Sequence, residues 1–136
     1  MPVRGIRGAT TVALNEAGAI VEATEELLRE LVRSNDLDVE EIAFGYFTVT
    51  PDLDAEYPAL AARRLGWVEV PLLCGHDMAV RQPNPRGIAM CVRVLLLYNT
   101  DRRQREMQHA YLRGARAIKQ DLDAMRSKID ALVSGR

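Results

Sequence analysis

Cysteine and histidine are both scarce in this 136-residue chain, at two residues each. Cys74 and Cys91 have no His or Cys nearby at the spacing of a tetrahedral zinc site, so no metal is expected. His76 and His109 have no partner at a recognisable spacing, and a satisfied or exposed imidazole is the expectation for each. Excess positive charge is also missing: 18 Lys and Arg against 19 Asp and Glu leave a net charge of −1. That balance supplies no broad basic field for nucleic acid or anionic lipid, so any anion binding must rest on local placement of arginine. No apolar run reaches the length of a membrane span, and the opening Met1-Pro2-Val3-Arg4-Gly5 lacks the apolar stretch of a secretory leader. A cytoplasmic protein with reduced thiols and no membrane partner is expected. Finally, there is no glycine-rich nucleotide loop and no nucleophile elbow, which disfavours cofactor-dependent and covalent chemistry.

What is present is an ordinary globular balance, 48% hydrophobic and 27% charged, of a size that fits one domain over residues 1–136. Residues 2–14 are rich in β-favouring side chains and predict a strand. Asn15 can cap a helix to about Ser34, with Ile20, Leu27, Leu28, Leu31 and Val32 at helical spacing. Asp38 and Glu41 suggest a capped turn. Ile42–Val49 predicts a buried strand ending at Thr50-Pro51-Asp52, and Pro58 opens a second helix that closes at Gly66. Trp67–Leu73 predicts a further strand, which Pro71 confines to an edge or a bulge. Arg81 to Gly87 is a loop, Ile88–Tyr98 the most apolar strand, and Arg103 to Leu112 a short helical piece. Leu122, Met125, Ile129 and Leu132 place a C-terminal helix at about 121–134. The class is α+β, a mixed sheet with helices on one face.

The unusual feature is arginine inside strands. Arg93 alternates onto the face of Ala89, Cys91, Leu95 and Leu97, where a guanidinium that cannot lose its proton needs an anion. Taken alone, an internal salt bridge to a carboxylate such as Asp77, or an arginine on an exposed strand face, is the commoner explanation, and ligand binding the less common one. Arg4 and Arg7 lie three apart and point to opposite faces, so at most one can join Arg93. Arg63 and Arg64 read as solvated helix residues, and Cys74 as a buried small residue rather than a nucleophile.

In order along the chain, Arg4-Gly5-Ile6-Arg7-Gly8-Ala9-Thr10-Thr11-Val12, Thr50-Pro51-Asp52-Leu53, Tyr57-Pro58-Ala59, Gly66-Trp67, Val70-Pro71-Leu72-Leu73-Cys74, Val92-Arg93-Val94, Thr100-Asp101 and His109-Ala110-Tyr111-Leu112 resemble the small trimeric α/β class of chorismate mutase. The resemblance runs from residue 4 to about residue 122. It implies a pseudo-barrel homotrimer with three active sites at subunit interfaces, chorismate as substrate, and no cofactor. It also implies that Arg7, Cys74, Arg93 and Tyr111 line a site from one subunit and that Tyr57 and Arg63 come from the neighbour, with Leu73 in the substrate-binding set. The family's usual Glu after the Cys strand is matched by Asp77, its usual Phe by Tyr57, a late Arg by Lys119 and a Lys by Leu60, while the loop from Arg81 to Arg86 looks longer.

On that resemblance the reaction is a one-step pericyclic rearrangement of chorismate to prephenate, needing no base, nucleophile or metal. Holding the reactive conformer and stabilising charge on the breaking ether bond would do the work, with Arg93, Asp77 and Arg7 as the catalytic set. Two other readings stay open at this stage: a trimeric imine or enamine deaminase of similar shape, and a non-catalytic anion-binding or regulatory module.

Overall fold

Alternation decides the centre of the sheet. Val92, Val94, Leu96 and Tyr98 are buried while Arg93 and Leu95 between them are exposed, the period-two pattern of a strand covered on one face. In the computed structural model, which describes residues 1–135, this is β4 (Cys91–Asn99). It runs antiparallel to β1 (Val3–Thr11) on one side and β2 (Ile42–Val49) on the other. β3 (Leu72–His76) adds in parallel outside β2, and β5 (Ala110–Tyr111) in parallel outside β1. The result is an open mixed sheet of order β3-β2-β4-β1-β5.

One face of that sheet is the core. The apolar stripe of α1 (Ala17–Asn35) buries Ile20, Leu27, Leu28 and Leu31 in one cluster with Ile6, Phe47, Val92, Val94 and Leu96, and α2 (Ala59–Arg64) adds Ala61 and Ala62. Each large side chain buried this way contributes roughly 1.5–3 kcal/mol. Gly8 lets α1 lie close to β1: a Cβ there would sit 2.9 Å from Leu31 Cδ1 and 3.1 Å from Leu27 Cδ1. Gly66 takes φ +90° just beyond α2, the left-handed turn that stops the helix. The opposite face carries Arg7, Arg93, Leu95, Tyr46 and Thr48 and is left open by α1 and α2. The last helix, α3 (Arg116–Ser134), roots there, with Ile118 against Ala9, Cys91 and Ala115.

Several local expectations give way to tertiary contacts. Asn15 does not cap α1. Its Oδ1 accepts from the N–H groups of Asp54 and Ala55, and its Nδ2 donates to Asp54 Oδ1 at 2.8 Å, tying the first helix to the loop before α2. The strand expected over Trp67–Leu73 begins only at Leu72, because Trp67 and Val70 are buried as core loop residues. It is an edge strand, as Pro71 requires. The helical piece expected at Arg103 to Leu112 is a single 3₁₀ turn at Gln104–Glu106 followed by extended chain and β5. Asp38 does start a turn, its Oδ1 accepting from the Glu40 N–H at 3.0 Å. The C-terminal helix begins five residues before the expected Asp121.

Candidate active site

The site is assembled on the open face by register. Arg93 stands between Ala9 of β1 and Thr48 of β2, whose small side chains leave its guanidinium room. Arg7 is two pairs further along, opposite Leu95 and on the same face, and Tyr111 enters from β5 beside Ala9. Arg7, Arg93 and Tyr111 line one hollow of about 210 Å³, together with Tyr46, Thr48, Leu95 and Ile118. The sequence reading missed Tyr46, Thr48 and Ile118 as wall residues. Alternation along β2 and the apolar spacing of α3 carried the signal. Arg4 points away, its Nε donating to the Arg102 carbonyl at 2.8 Å, so the expected separation of the two N-terminal arginines holds.

β5 owes its place to side chains rather than to strand propensity. The Gly5 N–H donates to Gln104 Oε1 at 2.8 Å and Gln104 Nε2 donates back to the Gly5 carbonyl at 2.6 Å. Buried Asn35 accepts from the Gln108 N–H at 2.7 Å and donates to its carbonyl at 2.8 Å. The Arg7 N–H donates to His109 Nδ1 at 2.9 Å. These bonds lay the segment along the edge of β1 and turn Tyr111 into the hollow. There its hydroxyl is buried and, among the described residues, has no hydrogen-bond partner, a cost that a bound acceptor or donor would remove.

His109 must be neutral to accept the Arg7 N–H, and burial together with Arg7 and Arg126 holds its pKa below the ordinary value of 6.5. The folded chain therefore releases this proton more readily than the unfolded one. Its contribution to stability is complete above pH 6.5 and is lost as the pH falls through the lowered folded value. Melting temperature is expected to fall over that acidic window, and the His109→Gln variant to show a flatter dependence there.

Arg93 combines the two ordinary readings of a strand arginine. It is 44% exposed, because no second layer covers its face, and its Nε lies 3.2 Å from Asp77 Oδ2. The internal salt bridge thus exists, but a pair this exposed contributes only about 0–1 kcal/mol and leaves the terminal guanidinium nitrogens for another anion. Two hollows open on the same guanidinium. The second, about 730 Å³, is walled by the loop from Met78 to Ala89 and includes Asp77, Asp52 and Arg86. Asp52 ties that region down, accepting from Thr50 Oγ1 at 2.5 Å and from the Met90 N–H at 2.9 Å, while Thr50 Oγ1 accepts from the Cys91 N–H at 2.9 Å.

The remaining expected site residues are not brought to Arg93 within one chain. Cys74 pairs with Phe47, which places it on the helix-bearing side of β3, near the Ala59 N–H. It is exposed, not buried as expected, since β3 is an edge. Leu73 is 59% exposed on that edge, Tyr57 is 71% exposed at the start of α2, and Lys119 is exposed on the first turn of α3. Arg63 donates from one terminal nitrogen to the Trp67 carbonyl, to Val68 O at 3.1 Å and to Val70 O at 2.9 Å, fixing the end of α2 against the loop before β3. Cys74 thus faces α2, which carries Arg63 and follows Tyr57, whereas Leu73, in register with Tyr46, is on the open face that Arg93 shares, two strands away. Burial pushes both cysteine thiols up from their ordinary range, away from thiolate chemistry. Among the described residues no His, Cys, Asp and Glu cluster could hold a metal, and no helix is long and apolar enough to cross a membrane.

Residues 3–122 match the family model for chorismate mutase type I. The chain is 43% identical over 123 residues to chorismate mutase AroH of Thermus thermophilus, covering 90% of this chain and 98% of that protein. It is 37% identical to the AroH of Bacillus subtilis strain 168, over 90% of this chain and 94% of the relative. A solved chorismate mutase from Clostridium thermocellum superposes with a TM-score of 0.78 at 42% identity, covering 83% of this chain and 97% of that one.

Proposed function

The chain belongs to the type I chorismate mutase family and is an isomerase of aromatic amino acid biosynthesis that takes chorismate; from that premise we propose how its residues divide the work. The carrying observation is that Arg7, Arg93 and the unpartnered Tyr111 hydroxyl converge on one hollow, with Asp77 held against Arg93.

Chorismate is a dianion, and its ether bond breaks as the new carbon–carbon bond forms, leaving negative charge on the ether oxygen and positive charge spread over the ring. Arg93 donates to that oxygen, where the added donor is worth roughly 3–4 kcal/mol in a site closed to water. Arg7 and Tyr111 grip a carboxylate and hold the reactive conformer. Asp77 accepts the ring hydroxyl and offsets the ring's positive charge. It reaches one methylene less far than Glu and lies 3.2 Å from Arg93 Nε. No proton is transferred and no covalent intermediate forms, in keeping with the raised pKa of both thiols.

The second half of the site is a neighbour's β3 edge. Cys74 faces α2, which carries Arg63 and follows Tyr57, away from Arg93, an arrangement that one chain leaves incomplete and a symmetric ring of copies completes. We assign three copies, a cytoplasmic location and no cofactor. The geometry favours grouping Cys74 with Tyr57 and Arg63 rather than with Arg93. Lys119, next to Ile118 of the hollow, supplies a late cation from α3. The test is turnover: the pure chain consumes the diene absorbance of chorismate and yields prephenate, and chorismate left intact at saturating enzyme contradicts the assignment.

A further inference from the structure

The family model ends at residue 122, whereas α3 continues to Ser134, so its outer half is a feature of this chain beyond the matched fold. A helix of 19 residues is about 28 Å long. The contacts of α3 with the rest of the chain centre on Arg113–Ala115 and β5, at its root. Beyond that root one side is apolar and uncovered: Met125 is 46% exposed, Ile129 59% and Leu132 70%.

The spacing of this stripe is specific. Ile118 packs on the sheet of its own chain, and beyond it Leu122, Met125, Ile129 and Leu132 recur at intervals of three, four and three, the alternation of a coiled-coil seam and not the broader stripe of a helix lying on a domain. In heptad terms Met125 and Leu132 take position d, and Leu122 and Ile129 position a. The flanks are then Asp121 and Lys128 at g, and Lys119 and Arg126 at e. In a parallel pairing each g residue meets the e residue five positions on in the next helix, so Asp121 meets Arg126, and Lys128 meets the uncharged Val133. One attraction and no repulsion result. An antiparallel pairing would set Lys119 against Arg126, two cations, and Asp121 against Lys128, so that its repulsion and its attraction cancel.

We propose that α3 forms a parallel, in-register seam with α3 of further copies of this chain. The number three rests on the proposed trimer, and rotation about a single axis runs equivalent helices in the same direction, the arrangement that the flanking charges favour. A seam of under three heptads is marginal for free helices. Tethering to an assembly already held by its sheets raises the local concentration enough to close it.

The test places single thiols on α3 in a Cys74→Ser background, with Cys91 buried and inert. Met125→Cys puts the thiol in the seam, and Asp123→Cys puts it on the outer side. A short bismaleimide is expected to link chains through position 125 about tenfold faster than through position 123, with sedimentation equilibrium of the unmodified chain run alongside. A trimer whose two variants cross-link at equal rates overturns the seam and leaves the trimer standing. A monomer with no preference overturns both.

Discussion

Arg93→Ala is expected to lower kcat by about 10²–10³-fold, the cost of removing one donor aimed at a developing oxyanion. KM should move much less, because in the proposed division of roles Arg7 and Tyr111, on the same hollow, hold the carboxylate. The fold tolerates the change, since Arg93 is half exposed on an uncovered face and its pairing with Asp77 adds little stability. Arg93→Lys keeps the charge but loses the planar fork that serves Asp77 and substrate together, and falls between the two. A thermal melt within a few degrees of the unmodified protein, beside the kinetic loss, separates chemistry from folding.

The second large effect follows from the proposed division of the site between copies. Arg93→Ala and Arg63→Ala, purified separately, should each be strongly impaired. Unfolded together in equal amounts and refolded as a mixture, they should recover about a quarter of unmodified activity. A cyclic assembly pairs an intact Arg93 half with an intact Arg63 half at one interface in four. If both halves belonged to one chain, the mixture would show only the average of its parents. Arg63→Ala also removes the bonds to the Val68 and Val70 carbonyls at the end of α2, so its secondary structure is checked first by circular dichroism.

The sequence was informative where local physics is strong. Period-two alternation located β2 to its ends and set Arg93, Leu95 and Leu97 on one face. The three-residue offset of Arg4 and Arg7 correctly sent only one of them to that face. The family resemblance, drawn from short ordered motifs, is matched over residues 3–122, and it favours the mutase over the deaminase-like and non-catalytic readings.

The misses share a cause, a partner distant in sequence. Whether Asn15 caps α1 or holds a loop is decided by Asp54, 39 residues on. β5 exists because Gln104, Gln108 and His109 find Gly5, Asn35 and Arg7 about a hundred or more than seventy positions away. Alternation tells which face Arg93 takes but not whether a second layer covers it, so the sequence left open both the salt bridge and the exposed face that the single chain combines. Likewise nothing in the Cys74 strand alone reveals that it forms an edge with its thiol on the helix side.

The most direct test of the central claim exchanges Arg93 for citrulline, which keeps the shape and most donors but not the charge. The account predicts a large fall in kcat with substrate binding little weakened; an unchanged kcat would contradict it.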